Sequence, residues 1–314
     1  MTHFALSDCH CHLQDYRFDA DLPEVMERAE LAGVSRFVCN ASAPSDWDKT
    51  VQIARNFPNI LPCLGLHPIH VGLFAASPFD AVWIDRLEEM IVHTSQELAQ
   101  PVGIGEIGLD RYVTPRDDAL QECVLREQLR LATRLGRAVM LHTRHALDRV
   151  IEILSEKNVE LPAFLLHGFG SSTERVDKIA SMGGYFSFSA NILKTHHKKS
   201  RLAAATVPLD RVLLESDAPD MPPPKEAVPE NWDNYTEYGN RNEPAIVPTV
   251  LVALAQLRNM PVDELAAIIA DNEATFFKVR VPEHFDRFPK RISNGADCAD
   301  FDPANGGTTG INRR

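Results

Sequence analysis

Short apolar runs alternate with amphipathic stretches along this chain, and the alternation repeats eight times. The runs Phe4–Asp8, Arg36–Asn40, Ile60–Gly65, Val102–Glu106, Ala138–His142, Ala163–His167, Gly184–Ser189 and Arg211–Asp217 read as strands. Between them lie windows with apolar residues three and four apart. Val124, Leu125, Leu129, Leu131, Ala132 and Leu135 form one, and Leu147, Val150, Ile151 and Leu154 another. Strand and helix alternating eightfold over about 220 residues predict a parallel (β/α)8 TIM barrel, an α/β fold. An open doubly wound sheet is the competing architecture. Its dinucleotide fingerprint needs glycines after the first strand, and Asp8–Leu13 has none.

After the eighth run, Pro219, Pro222, Pro223, Pro224 and Pro229 break any regular element, with Trp232, Tyr235 and Tyr238 among Asn and Glu. This reads as a long loop over the barrel mouth. Helices resume at Val247–Leu257 and Val262–Asn272. Periodicity stops at Glu283, so residues 1–282 are expected to form the barrel domain and 283–314 a disordered tail.

Of the 314 residues, 44% are hydrophobic and 24% charged, ordinary values for a globular enzyme. No stretch approaches eighteen apolar residues, so no membrane-spanning helix and no membrane partner are expected. Met1–Leu6 lack the basic and apolar regions of a signal peptide. Cys9, Cys11, Cys39, Cys63, Cys123 and Cys298 are scattered, most of them in apolar runs, which suits reduced thiols in the cytoplasm or nucleus. A formal net charge of −12 argues against coating nucleic acid by bulk electrostatics. It leaves room for an enzyme that holds one phosphate with a metal and a few local cations.

Asp8-Cys9-His10-Cys11-His12 carries the first chemistry. In an extended strand Asp8, His10 and His12 share one face and Cys9 and Cys11 the other. Two imidazoles two apart at the end of a barrel's first strand can grip a metal ion at the catalytic mouth. A structural Cys/His zinc knot would need a second cysteine pair at knot spacing, and none follows. Glu106, His142, His167 and Asp217 lie at the ends of four other strand-like runs, so a barrel would converge all of them on one pocket. Four imidazoles and two carboxylates exceed one tetrahedral ion. Two ions ~3.5–4 Å apart would use all six, with a bridging carboxylate. Mixed imidazole and carboxylate ligands suit Zn²⁺ or Mn²⁺, with Mg²⁺ a weaker occupant.

Together with Gly65-Leu-His-Pro68, Gly105-Glu-Ile-Gly-Leu-Asp110, Leu141-His142, His167-Gly-Phe169, Glu215-Ser-Asp-Ala-Pro219 and Arg241-Asn-Glu-Pro244, the Asp8–His12 run resembles the TatD family of metal-dependent deoxyribonucleases, in the right order from Asp8 to about Lys278. The resemblance implies a TIM barrel with exonuclease (3′→5′) or endonuclease action on DNA at two divalent ions. By position, it implies that His10, His12 and Asp217 hold one ion and His142 and His167 the other, with Glu106 bridging. It also implies that His67 and Glu215 act on the substrate phosphate and in catalysis, beside Asp217. Gly168 stands where many relatives have Cys, and Ser216 where Thr is usual.

Lys194, Lys198, Lys199 and Arg201 follow the seventh strand on the mouth side, a local cation cluster that suits either a nucleic-acid backbone or a solvated helix start. Arg241–Pro244 is expected to anchor the last loop rather than touch substrate. His3, His70, His93 and His284 lack partners at ligand spacing. The competing functions are an amidohydrolase acting on small amides, lactones or phosphoesters, and a non-catalytic barrel that has lost ligands. Many amidohydrolases bridge their metals with a carboxylated lysine where this chain has Glu106, and all six ligand positions are filled. DNA is the expected substrate, and no stable protein partner is predicted.

Overall fold

The computed structural model describes residues 6–74, 82–157, 159–161, 163–228 and 241–277. Eight strands appear where the apolar runs lie: β1 (Leu6–Cys11), β2 (Val34–Asn40), β3 (Ile60–Leu64), β4 (Gly103–Asp110), β5 (Val139–Arg144), β6 (Phe164–Leu166), β7 (Gly184–Phe188) and β8 (Val212–Leu214). They pair in sequence order, and every neighbouring pair is parallel. The helices between and after them are α1 (Leu22–Leu31), α2 (Trp47–Asn56), α3 (Val71–Phe74), α4 (Val82–Leu98), α5 (Asp118–Leu135), α6 (Leu147–Leu154), α7 (Val176–Ser181), α8 (Lys198–Thr206), α9 (Val247–Arg258) and α10 (Val262–Phe277). This is the expected TIM barrel. Its ends are joined where the Asp217 amide donates to the His10 carbonyl at 2.9 Å and the His12 amide to the Ala218 carbonyl at 2.7 Å.

Helix α5 illustrates how local sequence writes an element. The Asp117 side chain caps its start by accepting from the Leu120 amide at 2.9 Å, and Gly136 ends it at φ 61°. The apolar window read from the sequence is its buried face. Strand β8 ends at Leu214, three residues short of its apolar run, whose last residue, Asp217, takes a left-handed φ of 57° that an extended strand cannot include. Strand β4 instead runs four residues past Glu106. The tail from Glu283 and the aromatic part of the loop after β8 (229–240) lie outside the described residues.

The alternation assumed for β1 does not hold throughout. Asp8 pairs with Phe37 but Cys11 with Cys39, so three steps on β1 face two on β2, a bulge of one extra residue. Cys9 consequently packs with Val38, Cys63, Met140, Leu165 and Leu213 inside the barrel, while Cys11 belongs to the larger apolar cluster that the helices cover. Asp8 also departs from the histidines, accepting hydrogen bonds from the Ser216 amide (2.8 Å) and hydroxyl.

Helix α10 closes the bottom of the barrel. Phe276 meets Tyr185 edge-on at 5.1 Å, and Asn272 donates to the Leu209 and Val212 carbonyls. Glu273 is buried there. Its Oε2 accepts from the Ser7 hydroxyl at 2.7 Å, and Oε1 has no hydrogen-bond partner among the described residues. Burial raises its carboxyl from 4.5 to about 7, against the Ser7 bonds and the Arg36 charge. The folded chain therefore keeps a proton that the unfolded chain releases. Stability should fall as pH rises from about 4.5 to about 7 and then level off, by at most about 3–4 kcal/mol at ~1.4 kcal/mol per unit. Glu273→Gln should gain on the parent chain across that window, measured by denaturant melts at pH 5 and pH 8. An unchanged difference between the two pH values would show that Glu273 ionises freely.

Candidate metal centre

The mouth of the barrel gathers five imidazoles around one carboxylate. Glu106 is 3% exposed. Its Oε1 lies 2.8 Å from His167 Nε2, 2.9 Å from His142 Nδ1 and 3.4 Å from His67 Nε2. Its Oε2 lies 3.2 Å from His12 Nε2 and 3.4 Å from His10 Nε2. Asp217 Oδ1 stands 3.6 Å from both His10 and His12 Nε2, and 4.0 Å from His167 Nδ1. All six ligand candidates read from the sequence therefore meet in one place, reached from five strand ends.

Local backbone devices aim these groups. Strand β4 carries a bulge like that of β1, because Ile104 pairs with Val139 and Ile107 with Leu141, and Glu106 sits within it. Gly108, at φ 149°, lets β4 approach β5 at His142, where a Cβ would run into the His142 carbonyl. Asp8 and the Ser216 hydroxyl, which also accepts from the Ala218 amide at 2.9 Å, hold the turn that presents Asp217.

A further layer orients the rings. His12 Nδ1 donates to the Asn40 carbonyl at 2.7 Å, which points Nε2 at Glu106 and Asp217; against burial, these two carboxylates raise the ring well above its ordinary value. His142 Nε2 faces Asp110 Oδ2 at 3.2 Å, which leaves Nδ1 toward Glu106. His67 differs. Its Nδ1 accepts from the Ile69 amide at 3.2 Å, so the neutral ring carries its proton on Nε2 and meets Glu106 as a donor. Two buried glutamines of α5 finish the layer. Gln128 makes two hydrogen bonds to the Leu66 main chain, 2.7 and 3.1 Å, and Gln121 makes two to that of Asp110, 3.0 and 3.1 Å. Asp110, Asn40, Gln121 and Gln128 carried no assigned role in the sequence. Only their position, ahead of or beside a ligand, hinted at one.

Electrostatics separates the groups. Burial lowers His10 to about 4, helped by the neighbouring His167, and lowers His67 to about 4. Burial acts the same way on His167, but Glu106 and Asp217 outweigh it and raise that ring to about 9. For Glu106, burial is outweighed by His167, His67 and His10, and the carboxyl sits well below its ordinary range. Asp217 is likewise held down by His12, His167 and His10 against burial. Glu215 moves the other way, raised first by burial and then by the Asp217 charge. Both of its oxygens are taken, Oε1 by the Gly168 amide at 2.7 Å and Oε2 by the Ser187 hydroxyl.

The donor set fits a divalent ion. His10 Nδ1 and Nε2 and His167 Nδ1 are buried without a hydrogen-bond partner among the described residues, a costly arrangement that a cation relieves. Three groups have ligand atoms within 4.8 Å of one another: His10, His12 and Glu106; His10, His167 and Asp217; and His67, Glu106 and His142. Glu106 belongs to two of them. His167 lies near Asp217 as well as Glu106, and His67 stands beside Glu106 and His142.

A model of the TatD related DNase family matches residues 7–278. The chain belongs to this family. It is 30% identical over 273 residues to the Escherichia coli metal-dependent hydrolase YjjV, covering 87% of this chain and 97% of the relative. The crystal structure of that TatD homologue superimposes with a TM-score of 0.75 over 88% of this chain and 98% of the other. A human relative named as a deoxyribonuclease is 30% identical over 279 residues, 87% of this chain and 94% of the relative. A Bacillus subtilis relative, the metal-dependent hydrolase YabD, is 29% identical over 274 residues, 87% and 99% respectively.

In this TatD-family chain the cation cluster after β7 divides in two. Arg201 donates to the Ile192 carbonyl at 2.5 Å and Lys194 to Asn191 Oδ1 at 3.2 Å, so both serve the loop itself. Lys198 and Lys199 are exposed in the first turn of α8. Arg241 anchors the last loop as expected, with two hydrogen bonds to Asp21 at 2.7 and 2.8 Å and one to Glu243 at 2.8 Å. Among the described residues, no single helix is long and apolar enough to cross a membrane.

Asp110→Asn keeps the shape but weakens the acceptor behind His142. Zinc affinity, read by competition with a chromophoric chelator, should fall about 10–100-fold, and Glu106→Ala should remove bound metal more completely. Unchanged affinity in Asp110→Asn would mean that Asp110 serves only the loop.

Proposed function

We propose that this TatD-family hydrolase cleaves DNA phosphodiester bonds, as an exonuclease, an endonuclease or both, at a centre of two divalent ions. The observation that carries this reading is the division of Glu106, whose two oxygens face different sets of imidazoles. His10, His12 and Asp217 would hold one ion, His142 and His167 the other, and Glu106 would serve both. Ions bound there would polarise the phosphoryl group and make water acidic enough to attack near neutral pH.

The chain's own residues supply the remaining steps. Asp217, kept ionised by its neighbours, accepts the proton of the attacking water. His67, neutral and protonated on Nε2, faces the same centre and donates to a phosphate oxygen. Glu215, with both oxygens occupied, acts as a positioning group that fixes the loop of His167 through Gly168. Lys198 and Lys199 lie in the first turn of α8, where the helix field is already positive, and so favour a backbone phosphate.

Purified protein with Mn²⁺, Mg²⁺ or Zn²⁺ should degrade end-labelled single-stranded DNA, and a chelator should stop it. Asp217→Asn should lower kcat by about 100-fold or more while DNA binding survives. Near-normal kcat would remove Asp217 as the base, and a chain inert toward DNA but active on small amides or lactones would overturn the reading. Lys198→Ala with Lys199→Ala should raise KM for oligonucleotides and flatten its salt dependence, at a slope of about 0.7 per lost single-strand phosphate contact. Equal losses on a small chromogenic phosphodiester would instead indicate a folding role.

A further inference from the structure

Tyr112, in the loop after β4, and Arg144 and His145, at and just past the end of β5, build an exposed aromatic and cationic face. Tyr112 is 64% exposed, and the Arg144 guanidinium lies 3.8 Å from its ring centroid. The His145 ring stands 6.1 Å from that of Tyr112 with 30° between their planes, and His145 is held at φ 57°. Arg144 and His145 are exposed as well. Arg17, Arg55, Arg126, Arg149 and Arg175 each have a carboxylate partner, but among the described residues none lies within ion-pair distance of Arg144. Its charge, in an acidic chain, is left at the mouth.

This face is tied to the metal centre rather than carried on a loose loop. Asp110 turns Oδ2 to His142 Nε2, while Oδ1 accepts from the Tyr112 and Val113 amides at 2.6 and 3.1 Å. Gln121 grips the Asp110 main chain, and the Arg111 amide donates to the Arg144 carbonyl at 2.9 Å. One carboxylate thus orients a ligand histidine and places the tyrosine.

We propose that Tyr112 and Arg144 form a stacking subsite for a base of single-stranded DNA, next to the phosphate held at the histidine–carboxylate centre. The proposal rests on the DNA reading above. Aromatic rings and guanidinium planes accept any base face, and the Arg144 charge favours the adjoining backbone. The subsite would hold the strand without reading its sequence.

The test uses the full chain, fluorescence anisotropy, and two labelled single-stranded oligonucleotides of equal length, one with bases and one abasic throughout. The parent chain should bind the base-bearing strand about tenfold or more tightly. Tyr112→Ala should bring that ratio close to one, and Tyr112→Phe should restore it. Arg144→Ala should weaken both strands and lower the salt dependence. Equal weakening on both strands by Tyr112→Ala, or none on either, would overturn the subsite. A parent chain that degrades DNA without preferring bases fails the subsite alone. One that neither binds nor degrades DNA fails the DNA reading and the subsite together.

Discussion

Glu106 is a carboxylate buried at the centre of the barrel mouth, and the site is organised around the cost of placing a charge there. An ionised carboxylate out of water needs compensation on every side. Here five imidazole rings supply it, divided between its two oxygens. The same division suits the group to hold two cations, because each oxygen already faces a separate set of nitrogen donors. Asp217 brings the second negative charge and, through its main chain, the junction of the barrel's last strand with the first. Ligand geometry and barrel closure therefore share a residue.

Around this centre, main-chain and amide contacts set the ring orientations. The Asn40 carbonyl accepts from His12 Nδ1, while His67 Nδ1 accepts from the Ile69 amide, so two rings that turn Nε2 to one carboxylate are held by opposite hydrogen-bond roles at Nδ1. Gln121 and Gln128, two turns apart on α5, pair like peptide groups with the chain at Asp110 and Leu66. A helix on the outside of the barrel thereby steadies two loops at its mouth. Asp110 links this frame both to His142 and to the aromatic face of the following loop.

The fold was legible in the sequence because its signal is local. Eight apolar runs with helical windows between them are what a parallel barrel requires at each step, and strand order followed from chain order. The ligand candidates were legible because barrel topology sends every strand end to one face, so His142 and His167 needed no sequence proximity to His10. Asp8 was misplaced for an equally physical reason. Strict alternation holds only without an extra residue, and the bulge in β1 separates Asp8 from the histidines and turns Cys9 into the barrel interior.

The sequence by itself determined the architecture, the family and the residues that converge, since period, order and residue type need no knowledge of distance. Tertiary structure decided which oxygen meets which imidazole, that His67 arrives as a donor, and that Glu215 has both oxygens occupied. It also decided that Arg201 serves its own loop and that Arg144 stands without a carboxylate partner among the described residues. Some of these depend on contacts between residues tens to hundreds of positions apart, as for Glu106 and Glu215, and others on how a local turn is folded, as for His67 with Ile69 and Arg201 with Ile192. Their directions are set by strand bulges, loop turns and packed helices that no single window of sequence contains.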